Sequence, residues 1–219
     1  QLNWSNLGPE TPYLASLLED PRFCDAAEQI LGDDAVGHFC NSNSFSGDRT
    51  EWHPDTTDPH WRGIKFGFYL QPLAANTGAL RFITGSHKEP LHSDTKRIAL
   101  KDSIADTGDE AGLSVEEVPA YVAASQPGDV IIFDNHTWHA SWGGGEDRRM
   151  CTLGYFGSPT TPEEEAAVKA HVEMEAGLMR TFPQLERSPH WVASSIGNPK
   201  RQRWIDSLRR WGFIGPAGS

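Results

Sequence analysis

The stretch Gln126-Pro127-Gly128-Asp129-Val130-Ile131-Ile132-Phe133, followed by Asp134-Asn135-His136-Thr137-Trp138-His139-Ala140-Ser141, decides how the rest of the chain reads. Proline presets φ and glycine tolerates the positive φ of a turn, so Pro127-Gly128 opens a new element. The apolar run Val130 to Phe133 that follows is too short for a helix and rich in β-branched residues, which marks a strand over Asp129 to Phe133. Just past it come two histidines and a serine, so polar chemistry sits at the end of a strand.

Working outward, the same grammar recurs on both sides. Val118 to Ala123 reads as a strand, as does Gly63 to Leu70, where Ile64, Phe66, Phe68 and Leu70 share one face. Asn76-Thr77-Gly78 is a turn into a short strand from Ala79 to Thr84, which ends at Gly85-Ser86-His87. From Ala35 to Ser46, Val36, His38 and Cys40 alternate with Gly37, Phe39, Asn41 and Asn43, a strand with one mixed polar face. Beyond the glycine loop Gly143-Gly144-Gly145, a last strand runs from Arg148 to Phe156.

Helices flank these strands. Residues 10–31 carry a helical stripe, with Thr11-Pro12 as cap and first residue, a break at Asp20-Pro21 and a stop at Gly32. Thr161-Pro162-Glu163-Glu164-Glu165 opens another helix, and a last one spans Lys200 to Trp211. Residues 88–116 are polar, with a short amphipathic piece near Ile98 to Ile104, and read as an insertion or lid. Helices, many short strands with Gly/Pro turns, then helices point to a mainly β domain, a β-sandwich or jelly roll with flanking helices. A single domain over 1–219 is expected, its β core at about 36–157 and helices at 1–34 and 160–219.

Composition narrows the function classes. A formal charge of −11 disfavours nucleic acid or an anionic membrane as main partner. The three cysteines, Cys24, Cys40 and Cys151, are far apart and read as buried thiols of a reducing, cytoplasmic compartment. No apolar run approaches a membrane span, and no signal peptide is visible. The chain opens on Gln1, which leaves room for an upstream targeting segment.

Chemistry gathers at Trp52-His53-Pro54-Asp55-Thr56. Residues two apart at a strand end project to one side. An imidazole beside a carboxylate is most of a 2-His-1-carboxylate face, which holds Fe(II) and leaves positions open. His139 is the candidate third ligand. His136 competes, although it reads more simply as a loop histidine or an outer hydrogen-bond donor. Ser141 lies on the same side as His139, and Arg148 and Arg149 follow about one hairpin later. A guanidinium matches the distal carboxylate of a keto acid. Trp61 and Arg62, just beyond the metal motif, are candidate substrate contacts, Trp138 and Trp142 are candidate pocket walls, and Lys200, Arg201, Arg203, Arg209 and Arg210 form a basic helix face.

Taken in order, these pieces resemble the phytanoyl-CoA dioxygenase family over residues 36–157. They are His53-Pro54-Asp55, Asn76 through His87, Pro127 through Phe133, His139-Ala140-Ser141 and Arg148 through Leu153. The resemblance implies a double-stranded β-helix with Fe(II) on His53, Asp55 and His139, all three catalytic. It implies 2-oxoglutarate held by Arg148 with Ser141 and Thr56, with Asn41 and Asn43 as weaker contacts. The loop from Ser141 to Arg148 is a little shorter than the family's, which keeps Arg149 open as the anchor. O2 would be consumed, 2-oxoglutarate would become succinate and CO2, and a small molecule would be hydroxylated. Halogenases of this kind lack the carboxylate, so Asp55 points to hydroxylation. A non-catalytic cupin-like binding module, and a hydrolase using another metal, are the competing classes.

Overall fold

The computed structural model describes residues 2–46, 50–99, 117–144 and 147–215. The elements run β1 (Leu2–Ser5), α1 (Pro12–Leu17), α2 (Pro21–Leu31), β2 (Val36–Phe45), β3 (Thr50–His53), β4 (Gly63–Tyr69) and β5 (Leu80–Phe82). They continue through α3 (Leu91–Ala99), β6 (Tyr121–Ala123), β7 (Ile131–Asp134), β8 (His139–Ser141) and β9 (Arg148–Phe156), closing with α4 (Pro162–Thr181), α5 (Pro189–Ala193) and α6 (Pro199–Trp211). Among the described residues no helix is long and apolar enough to cross a membrane.

Local chemistry explains the helix ends. Asp20 accepts a hydrogen bond from the Arg22 backbone N–H at 3.0 Å, and Thr161 does the same for Glu164 at 3.2 Å. Each is followed by proline at the first helical position, where a missing N–H costs nothing. Thr11 departs from the expected cap: its hydroxyl donates to the Asn6 carbonyl at 2.8 Å and makes no cap bond. α6 begins at the Asn198 cap and ends on Gly212 at φ 91°, a left-handed position that favours glycine.

Two sheets carry the strands, ordered β1-β2-β9-β4-β7 and β3-β8-β5-β6. From β2 to β9, successive strands alternate between the sheets, except that β5 and β6 pair with each other. That alternation winds a double-stranded β-helix, the jelly roll expected from the strand pattern.

The described residues gather into two compact units. One contains Ser44–Thr57 and Gly67–Met150. Its core is Tyr69, Leu73, Ala79, Leu80, Ala123, Phe133 and Met150, with Phe45, Phe82, Val122 and Ile131 packed against it. The other contains Leu2–Asn43, Asp58–Phe66 and the chain from Cys151 onward. There Tyr155 donates its hydroxyl to the Leu18 carbonyl at 2.7 Å, and Trp204 donates its indole N–H to the Ala35 carbonyl at 3.0 Å. Gly37 is required beneath that indole, because a Cβ would sit 2.9 Å from its ring.

Several expectations shift. Strand β4 does not keep its apolar alternation: Gly67 and Tyr69 are buried where Phe68 and Leu70 were expected, and Leu70 is exposed beyond the strand end. As an interior strand between β9 and β7, β4 has buried residues on both faces. The apolar run ahead of His139 is likewise only partly covered, with Val130 and Ile132 exposed and Phe133 buried. β1, β8 and α5 were not anticipated; all three are too short to show a period. Within the 88–116 insertion, Leu91–Ala99 is helical, and 100–116 lie outside the described residues.

Candidate metal centre

β3 and β8 pair antiparallel, and their register sets His53 directly opposite His139. The two rings stand 4.3 Å apart at 49°. Asp55 follows β3 and is held by its backbone N–H, which donates to the Asn135 carbonyl at 2.8 Å; the Thr56 N–H shares that carbonyl at 3.2 Å. One ligand atom from each of His53, Asp55 and His139 lies within 4.8 Å of the other two.

Both imidazoles are oriented in the same way. Nδ1 of His53 lies 2.7 Å from the Glu51 carbonyl, and Nδ1 of His139 lies 2.9 Å from the Thr137 carbonyl. A carbonyl only accepts, so each Nδ1 carries the proton and each Nε2 keeps its lone pair. A hydrogen bond of this kind fixes the tautomer a metal-binding histidine needs. His139 also packs on Phe133, ring centroids 4.8 Å apart, and on Phe82 at 6.0 Å.

The strand start that bears His139 is itself anchored. Ser86 is fully buried, and its hydroxyl oxygen accepts the Trp138 backbone N–H at 2.9 Å. Nδ1 of His92, on α3, lies 3.1 Å from both the Ser86 and His136 carbonyls. Gly85-Ser86-His87 thus serves as a structural turn. His136 stands outside the cluster, its Nδ1 2.7 Å from Asp134 Oδ1. Burial raises the proton affinity of Asp134, but the His136 hydrogen bonds outweigh it and hold the carboxyl below its usual range.

Arg148 and Arg149, alternating on β9, face opposite surroundings. Arg149 is exposed, with Nη2 3.4 Å from Asp147. Arg148 is 2% exposed. Its Nη1 donates to the Gly78 carbonyl at 2.6 Å, and its guanidinium carbon lies 4.2 Å from the centre of the Phe45 ring. Nε and Nη2 are buried without a hydrogen-bond partner, and among the described residues no carboxylate pairs with this charge. Burial pulls the guanidinium's proton affinity down, opposed by Tyr69, whose phenol is pushed up to about 12 by its own burial.

The cradle around Arg148 is made of glycine. A Cβ on Gly78 (φ 93°) would lie 2.3 Å from Arg148 Nη1, and one on Gly144 would lie 3.0 Å from it. Gly78 was legible only as a turn residue; its second role depends on a side chain far along the sequence. Ser141, fully buried on β8, donates to the Thr50 hydroxyl at 3.2 Å.

The remaining candidates have their own surroundings. Trp61 is buried in the second unit, stacked on His171 and Phe156. The Arg62 carbonyl accepts the Gly157 N–H there, and Asn41 and Asn43 lie on β2 in that same unit. Trp138 is buried with its indole N–H on the His92 carbonyl at 3.2 Å. On α6 the basic face is largely paired, Lys200 with Asp25 and Glu28, Arg201 with Glu19, and Arg203 with Glu28.

A double-stranded β-helix that brings two imidazoles and one carboxylate to a common point defines a class: a jelly-roll protein with a 2-His-1-carboxylate cluster that could hold a metal ion. Residues 6–151 match the family model of phytanoyl-CoA dioxygenase (PhyH), and the chain belongs to that family. It is 28% identical over 149 residues to the ectoine dioxygenase of Bordetella bronchiseptica, covering 60% of this chain and 48% of that protein. The chain therefore spans about half the length of the curated relatives it matches. Apo HygX from Streptomyces hygroscopicus shares the fold with a TM-score of 0.56 at 15% identity, covering 73% of each chain. EctD from S. alaskensis, solved with 2-oxoglutarate and 5-hydroxyectoine, shares it with a TM-score of 0.52 at 22% identity, covering 71% of this chain and 56% of that one.

Proposed function

We propose that this chain carries an Fe(II)- and 2-oxoglutarate-dependent oxygenase centre that hydroxylates a C–H bond of a small molecule, with formation of succinate and CO2. His53, Asp55 and His139 would hold the iron. When bound, iron with the keto acid supplies the activation of O2. The protein's residues orient, neutralise and exclude water. Asp55 fills the carboxylate position and so favours hydroxylation over halogenation.

The observation that carries this reading is Arg148, a buried guanidinium with two donor nitrogens lacking a partner, in the same unit as the histidine–carboxylate cluster. A buried cation without a carboxylate is costly, and an anionic ligand resolves the cost. The distal carboxylate of 2-oxoglutarate has the charge and the forked shape for it. Ser141 can turn its hydroxyl towards the same carboxylate, and Thr56 would contribute beside Asp55. A hydrolase with another metal has no use for Arg148. The substrate is a small molecule, as ectoine is for the matched relatives.

The test is turnover of the metal-stripped protein reloaded with Fe(II) and ascorbate, scored by succinate over a panel of small molecules and by product mass. Succinate with a product heavier by one oxygen is expected. Activity without O2 or 2-oxoglutarate would favour the hydrolase, and 2-oxoglutarate binding without succinate the binding module.

A further inference from the structure

Besides His53, Asp55 and His139, one other group among the described residues combines two imidazoles with a carboxylate: His38, His171 and Glu175. One ligand atom from each lies within 4.8 Å of the other two, and all three residues belong to the second unit. His171 and Glu175 are four apart on α4, the spacing that places two side chains on one helix face. His38 comes from β2.

His38 is 2% exposed, and its Nδ1 is buried with no hydrogen-bond partner. The ring bonds instead to the Gly154 backbone, in the sense that favours a proton on the ring. Nε2 is therefore the protonated nitrogen, donating to the Gly154 carbonyl, and Nδ1 presents a lone pair. Burial, with Arg187 and His171 nearby, pushes the proton affinity of this imidazole well below its ordinary value. An acceptor this deeply buried without a donor is uncommon and needs an occupant.

The other two side chains are held for the same purpose. Trp61 stacks on the His171 ring at 3.8 Å with 11° between planes, which fixes the imidazole's orientation. Arg187 Nη1 lies 2.5 Å from Glu175 Oε1 and steers the carboxylate.

We propose that His38, His171 and Glu175 form a second divalent-metal site, suited to Zn2+ or a similar transition ion, that clips β2 to α4. Two imidazoles with one carboxylate match such ions, whereas Mg2+ and Ca2+ prefer oxygen ligands throughout. Ligands drawn from separate elements exist as a set only in the folded chain, so the ion stabilises the fold. The Arg187 charge beside it makes the site weaker than one with a second carboxylate.

The test is Zn2+ content of the whole chain, stripped of metal and dialysed against Zn2+. The native chain should retain two ions, and the His53→Ala/His139→Ala variant one. Adding His171→Ala to that variant should remove the ion and abolish the rise in thermal midpoint that Zn2+ produces. Circular dichroism checks folding. Should the triple variant unfold, His171→Ala alone must drop the content from two ions to one. A double variant that retains no Zn2+, or retention unchanged by His171→Ala, would overturn the site. Because the double variant lacks the first centre, its result stands whether or not the oxygenase reading holds.

Discussion

At Arg148 a full positive charge is held against Phe45 and the Gly78 carbonyl, with Nε and Nη2 unfilled. Arg149, the next residue, lies exposed beside Asp147. Charge-assisted hydrogen bonds contribute about 1.5–3 kcal/mol, and each 1.4 kcal/mol is tenfold. Arg148→Ala should therefore raise the KM for 2-oxoglutarate by roughly 10- to 100-fold, while Arg149→Ala leaves it near the native value. Initial rates at varied 2-oxoglutarate decide, and the reverse order would move the anchor by one residue. At the metal, His53→Ala and Asp55→Ala should each lose the Fe(II) equivalent that supports turnover, whereas His136→Ala should keep it. Equal losses in His136→Ala and His139→Ala would contradict the ligand set.

At the scale of elements, the turn before β5 and the turn after it each support a site residue on another strand. Gly78 has φ 93°, and an added Cβ would reach Arg148 Nη1. Gly78→Ala combines backbone strain of about 1–3 kcal/mol with displacement of the anchor. It should weaken 2-oxoglutarate binding as well as lower the thermal midpoint; a change in stability alone would separate the turn from the anchor. Ser86→Ala leaves the buried Trp138 N–H unpaired, for about 1–3 kcal/mol in urea unfolding.

The N-cap of α2 carries a pH dependence. Asp20 is lowered from 3.8 to about 2, chiefly by its hydrogen bonds to the Arg22 side chain and backbone. A depressed carboxylate stabilises above its unfolded value and loses that contribution as pH falls, here between about 4 and 2. Because its partner Arg22 is largely exposed, solvent screens the pair and the effect is small. Helical signal should soften across that window in the native chain and stay flatter in Asp20→Asn, which keeps a cap without titrating there.

For the whole molecule, metal dependence is the broadest expectation. Chelation should stop succinate formation, and Fe(II) with ascorbate should restore it; turnover that survives exhaustive chelation would refute an iron-dependent centre. The strand order also explains how a site assembled from distant residues arises. Because β3 and β8 are neighbours in one sheet, His53 meets His139 by register, and β5 on the other side of β8 sets Phe82 opposite His139.

The sequence by itself determined the β-rich class, the strands from Val36 to Phe156, the flanking helices and the identity of the His53, Asp55, His139 and Arg148 candidates. Those are local matters: turn residues, period, caps, and side chains whose chemistry is visible in their type. The tertiary structure alone decided which arginine is buried, that Trp61 belongs to an aromatic stack, that Gly78 makes room for a guanidinium, and that His38 is placed with His171 and Glu175. Each of these depends on what a distant segment brings alongside, and in a β-helix that is set by strand pairing between residues far apart in the chain.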